Sequence, residues 1–175
     1  GKGAPRLRRL VALLDECVGR SSGIVNADDD DDAGLVNVDV SDDDDDDEST
    51  EDGAVVMGCR SMLDSSRPRA IVFATYKLEA KATARLLVER GFAAAALHGD
   101  QTLTARTNVV EAFRRGALDV LVATDVAARG LDIQGDDTVV NYDFPRDAAD
   151  DYIHRIGRTG RAGAKGAAHT LFTRN

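Results

Sequence analysis

Three arginines, Arg155, Arg158 and Arg161, recur at every third position in "DYIHRIGRTGRAGAKG" (151–166), with Gly157, Gly160, Gly163 and Gly166 threaded between and beyond them. A guanidinium keeps its charge at any working pH and offers five donors in a rigid fork, which suits a phosphoryl group spreading charge over its oxygens. A lattice of surface ion pairs with Asp150 and Asp151 is the plainer alternative. Exposed pairs contribute little, however, and would not need the glycines. The stretch therefore reads as an anion-binding segment whose bare backbone admits close approach. Three further segments place polar groups after apolar runs: "HGD" (98–100), "TDVAARGLD" (124–132) and "YDFP" (142–145).

These segments need elements to hold them. "PRLRRLVALLDECV" (5–18) puts Leu7, Leu10, Val11 and Leu14 at helical spacing. "AIVFAT" (70–75), "FAAAALHG" (92–99), "DVLVATD" (119–125), "TVVNYD" (138–143) and "GAAHTLFT" (166–173) read as strands. Between them lie helical stretches over 77–91 and 102–116, ended by Gly91 and Gly116, the second capped by Thr102 or Thr104. A further stretch beginning at 148 starts helical. Nearly continuous apolar strands alternating with helices imply an α/β fold with a mainly parallel sheet covered on both faces. Ligands of such sheets sit in the loops at the carboxyl ends of the strands, where the polar segments fall.

The chain has 175 residues, 43% of them hydrophobic, and a formal charge of −9. That charge averages two unlike parts. Residues 28–52 contain 15 of the 31 acids and no Lys or Arg, leaving 22 basic against 16 acidic residues elsewhere, a net of +6. Aspartate runs repel one another and bury too little apolar surface to order themselves, so residues 19–66 read as an acidic, mostly disordered insertion. A short helix near Val55–Leu63 is the exception expected within it. No D-x-D-x-D-G loop with a distant Glu supports a calcium site there. Cys17 and Cys59 have no metal or disulfide spacing, and His98, His154 and His169 are scattered, so no metal site is expected. With no signal peptide and no 18-residue apolar run, an intracellular compartment, nuclear or cytoplasmic, and no membrane association are expected.

"ATDVAARGLD" (123–132) and "YIHRIGRTGRAG" (152–163) together resemble the fifth and sixth motifs of DEAD-box RNA helicases. With "HGD" and "IVF", the resemblance covers about residues 69–173; the helix over 5–18 is similar to the one opening this domain, and the "HTLFTRN" ending is nearest the Dbp2-like subgroup. It implies a RecA-like three-layer α/β/α domain, the second of two in an ATP-dependent RNA helicase. Residues 1–18 would supply its first helix and 67–175 its body. By resemblance, Arg158 and Arg161 would be arginine fingers on the γ-phosphate of ATP. Asp132 would accept from the ribose hydroxyl, with Gly130 allowing close approach. Arg129, His154 and Arg155 would couple the domains, although a satisfied core histidine remains open for His154. Thr124, Gly99, Asp100, Arg106, Lys77 and Thr75 would bind the RNA backbone, without sequence specificity.

Two positions depart from the family pattern. Leu103 stands where a glutamine is usual, with Gln101 the only glutamine nearby, and Tyr76 stands where a threonine is usual. No G-x-x-x-x-G-K-[ST] and no DEAD tetrad occurs, so the phosphate cradle and the Mg²⁺ ligands would belong to a preceding RecA-like domain of the same protein. This chain alone is expected to be monomeric and to hydrolyse nothing. A catalytically silent RNA- or protein-binding module is the alternative. A DEAH-type or DNA helicase is a further one, although it would carry Gln in place of His154.

Overall fold

The structure, a computed structural model, describes residues 4–19, 68–128, 138–145, 148–160 and 165–172. The acidic stretch and the expected helix within it lie outside these residues. The elements run α1 (Ala4–Cys17), β1 (Ala70–Phe73), α2 (Lys77–Val88), β2 (Ala94–Leu97), α3 (Leu103–Arg114), β3 (Val120–Ala123), α4 (Asp125–Ala128), β4 (Thr138–Asn141), α5 (Ala148–Ile156) and β5 (Ala167–Thr170). All four pairings are parallel, in the order β2-β3-β1-β4-β5. The register aligns Val72 with Val122 and with Val140.

Side chains alternate across a strand, and that period divides the core. Ala70, Val72, Val120, Val122 and Val140 pack with Leu7, Leu10 and Leu14 of α1 and with Ala80, Ala84 and Leu87 of α2. Ile71, Phe73, Leu121, Ala123 and Val139 pack with Val109, Val110 and Phe113 of α3 and with Ala127 and Ala128 of α4. The result is the three-layer α/β/α arrangement read from the sequence. β1, β3 and β4 are buried throughout, whereas β5 closes an edge and is exposed over its first half. Thr102, not Thr104, caps α3 by accepting from the Ala105 N–H at 3.2 Å. No helix among the described residues is long and apolar enough to cross a membrane.

α1 is fastened polarly as well as by its leucines. The Arg6 guanidinium donates to the Tyr142 carbonyl at 2.8 Å, pairs with the Asp143 carboxylate, and lies 5.0 Å over the Tyr142 ring. Glu79 of α2 faces the same carboxylate. Burial, then hydrogen bonding with Asp143, then the Asp143 charge push the Glu79 carboxyl from 4.5 up to about 7, against the pull of Arg6. Asp143 Oδ2 is buried and accepts no hydrogen bond from another group. The folded chain holds the Glu79 proton more tightly than the unfolded chain does. Its stabilisation is therefore complete below the ordinary Glu value and is lost as pH rises through about 7. Solvent screening at this half-buried site keeps the effect to about 1 kcal/mol. Thermal unfolding of the chain should show Tm several degrees lower near pH 8 than near pH 5, and Glu79→Gln should flatten that dependence. An unaltered slope in the variant would assign it elsewhere.

Candidate functional site

β1 leads through α2 toward β2 at one edge, while β4 leads through α5 to β5 at the other. These adjacent strands thus diverge in their connections, which in a sheet of this kind opens a crevice beyond their carboxyl ends. Here that crevice is filled. Arg6 approaches from the α1 face, and Arg155 enters from α5 on the other.

Arg155, expected at a seam between domains, is 1% exposed. Its Nε and Nη2 donate to Asp125 Oδ1 and Oδ2, each at 2.6 Å, and its Nη1 donates to the Asp143 carbonyl at 2.7 Å and to Asn141 Oδ1 at 3.3 Å. The guanidinium also stands 5.3 Å over the Phe73 ring. Its side chain is an internal tie among the ends of β1, β3 and β4. An arginine this deeply engaged does not itself meet a ligand.

His154 is exposed and Arg158 is half-buried, and both border one small cavity with Phe73, Asp125, Ala128 and Asp151. The cavity measures about 20 Å³, room for a single water, whereas a nucleotide-sized ligand needs hundreds. Among the described residues, the cavity beside Arg158 is not by itself a nucleotide site. Arg161, Arg129, Gly130 and Asp132 lie outside the described residues.

The nucleic-acid candidates share the same edge of the sheet. Thr124 follows β3, is 7% exposed, and starts α4 with its carbonyl, which accepts from the Ala127 and Ala128 N–H groups at 3.1 and 3.0 Å. Arg106 reaches from α3 to donate to the Ala127 carbonyl at 2.9 Å, so it also anchors α4. Lys77 and Asp100 form an exposed ion pair at 2.6 Å that links the loops after β1 and β2. A hydrogen bond from Lys77 holds the Asp100 carboxyl below its usual range, so an RNA phosphate would compete with Asp100 for that ammonium. Thr75 is half-buried beside exposed Tyr76, and a Cβ on Gly99 would meet nothing within 4 Å.

Leu103 and the nearby Gln101 take distinct structural roles. Gln101 is buried; its Oε1 accepts from the His98 N–H at 3.0 Å and its Nε2 donates to the Ala96 carbonyl at 3.1 Å. It pins the "HGD" turn from within. Leu103 opens α3 and is 69% exposed. An exposed leucine offers no donor to a phosphate.

Gly157 and Gly160, expected to give clearance for a ligand, and Gly166 also have reasons inside the chain. Gly160 adopts φ 69°, a left-handed conformation that side chains rarely take. A Cβ on Gly157 would lie 3.1 Å from the Ile153 carbonyl oxygen, and one on Gly166 would strike Thr159 and Gly160.

Sequence reasoning missed Asp125 and Asn141 as site-forming residues. Asn141 did carry a signal: a polar side chain closing the buried run "TVVN" must find a partner. Asp125 did too, although a carboxylate opening a helix is ordinarily explained by the helix dipole alone.

The profile of the helicase conserved C-terminal domain matches residues 55–163. The chain is similar to DEAD-box ATP-dependent RNA helicase 5 of Arabidopsis thaliana, at 52% identity over 109 residues, covering 62% of this chain and 20% of that protein. Among solved structures it resembles the E. coli DEAD-box protein SrmB, bound there to regulator of ribonuclease activity A, at 43% identity and TM-score 0.57, covering 59% of this chain and 61% of that one. It also resembles S. cerevisiae Dbp5 bound to RNA and ADP BeF3, at 39% identity and TM-score 0.56, covering 63% of this chain and 30% of that one. The chain spans about a fifth of the length of the curated relatives it matches.

Proposed function

Because the chain belongs to the helicase conserved C-terminal domain family, with DEAD-box RNA helicases as relatives, we propose that it is the second RecA-like domain of an ATP-dependent RNA helicase. In this reading Arg158 and Arg161 reach the γ-phosphate of ATP held mainly by another RecA-like domain of the same protein. Asp132 and Gly130 receive the ribose, and Arg129 and His154 face the partner domain. Lys77, Thr75, Gly99, Asp100, Arg106 and Thr124 follow the sugar–phosphate backbone of RNA, which carries no base information. Mg²⁺ belongs to the partner domain, beside the phosphate cradle. Closure of the two domains on ATP and RNA would bend one strand and part a duplex locally. We further propose an intracellular protein, as its RNA-helicase relatives suggest, that works as a monomer.

The observation that carries this reading is the edge of the sheet itself. Candidate RNA ligands from three strand-end loops and a candidate finger share it, and the cavity that Arg158 lines admits one water. A wall without a pocket is what half of a two-domain site looks like.

Steady-state ATP hydrolysis tests the proposal. This chain alone should show no RNA-stimulated turnover, and the full-length protein should show it. RNA-stimulated turnover by the chain alone would refute the half-site reading.

A further inference from the structure

Tyr76 precedes α2 at the position where a capping residue belongs. Its backbone is extended there, at φ −114° and ψ 142°, and its carbonyl accepts from the N–H of buried Ala80 at 2.9 Å. Ser, Thr, Asp and Asn serve at such a position because a short side chain accepts from the first open N–H groups of the helix. The Tyr76 side chain makes no capping bond, and the residue is 51% exposed. The chain thus gives up a cap to hold an aromatic ring just beyond β1, and breaches of a local rule concentrate at functional positions. The surroundings fit one kind of ligand. Lys77 follows directly and pairs with Asp100, and the charge of Lys81, one turn further along α2, reaches the same carboxylate. Val126 after β3 and Leu103 after β2 are exposed as well, so the loops of three adjacent strands offer apolar side chains beside cations. That mixture suits single-stranded nucleic acid, in which charge follows the backbone and an aromatic face takes a base. The centre of a protein-binding patch would instead be depleted of lysine.

We propose that Tyr76 is a stacking platform for one unpaired nucleobase of the bound RNA. The inference rests on the proposed function and adds a specificity-determining residue to it. Contacts to sugar and phosphate along Lys77, Gly99 and Thr124 are blind to sequence, whereas a ring laid against a base is not wholly so. Every base has a face to stack, but a purine covers more of a phenol ring than a pyrimidine does. Binding also gains a component that salt does not weaken, because stacking neutralises no phosphate and releases no counterion. The backbone bond to Ala80 fixes the stem of the ring, and a tyrosine has only two torsions to order when the base arrives.

The test uses the full-length protein with a non-hydrolysable ATP analogue and a short single-stranded RNA, and follows affinity across a salt series. Tyr76→Ala should bind roughly 5- to 150-fold more weakly, the usual worth of one stacked base, with the slope of log affinity against log salt unchanged. Tyr76→Phe keeps the ring and should stay within about twofold of wild type. Lys77→Ala is the contrast, since loss of a phosphate contact should reduce the slope by about 0.7. Tyr76→Thr restores a capping residue, so its Tm should equal or exceed that of wild type while its affinity falls as in Tyr76→Ala. RNAs with a single abasic nucleotide, moved along the strand, should reveal one position that weakens wild type and leaves Tyr76→Ala unaffected. Wild-type affinity in Tyr76→Thr, or an abasic series without such a position, would overturn the inference. A reduced salt slope in Tyr76→Ala would do the same, because it would assign the ring to holding Lys77. Failure of the wild-type protein to bind RNA at all would overturn the proposed function along with the platform, which separates the two failures.

Discussion

Arg158→Ala in the full-length protein should lower RNA-stimulated kcat by ~10³–10⁵, the usual worth of an arginine finger at a phosphoryl-transfer transition state. RNA affinity without nucleotide should remain within about twofold, because phosphate-backbone contacts lie in other loops. The expectation follows from how the residue is held. Its backbone continues from α5 by a bond to Arg155, the most firmly anchored side chain on this face. Its own side chain is half-buried on a cavity wall beside Asp125 and His154. A mobile surface arginine would lose that orientation with every rotamer change and would stabilise transition-state charge poorly. Arg158→Lys should recover little, since an ammonium carries the charge without the planar fork. Single-turnover hydrolysis at saturating ATP and RNA is the decisive measurement. Unchanged kcat in Arg158→Ala would favour a catalytically silent binding module.

Much of this was legible in the sequence because it depends on local pattern. The runs "AIVF", "VLVA" and "TVVN" are apolar enough to be read as buried parallel strands, and each forms one. The helix over 5–18 was visible from Leu7, Leu10 and Leu14, all buried in one cluster. The convergence of the candidate residues also followed, since strand-end loops in a parallel sheet meet on one edge.

What escaped was the destination of individual polar side chains, because that is decided by partners far apart in sequence. Arg155 and Arg158 look equivalent along the chain, yet one is buried on Asp125, Asn141 and Asp143 and the other lines an outer wall. The difference comes from the 30 residues that separate Arg155 from Asp125 and from the sheet order that closes that interval. Glu79 was invisible for the same reason. An acid in the first turn of a helix is ordinary, and only the return of β4 beside α2 and α1 brings Asp143 and Arg6 to it. The need for glycines shows in the sequence, but the packing of the chain on itself, a further reason for Gly157, Gly160 and Gly166, does not.

Gly166→Ala gives that last point its sharpest consequence. A Cβ at 166 would fall 2.1 Å from Thr159 Oγ1, 2.4 Å from the Gly160 nitrogen and 2.9 Å from the Gly160 Cα. Two of these three atoms are backbone, so no side-chain rotation relieves the contact. Thr159 Oγ1 is itself buried. Gly160 already occupies a left-handed conformation, so the turn has little freedom to yield in place. The turn must therefore move as a unit, and it is the turn that follows Arg158. A displacement of about 1 Å at a reacting group can cost 10²-fold in rate, and overpacking at such a contact costs about 1–3 kcal/mol of stability. The full-length variant should thus lose roughly 10²-fold in kcat while remaining folded, with Tm lowered by several degrees. Gly99→Ala, whose Cβ meets nothing within 4 Å, is the control for stability and should leave Tm unchanged. Wild-type kcat in a folded Gly166→Ala protein would mean that the finger does not depend on this contact, and that its position is set by α5 alone.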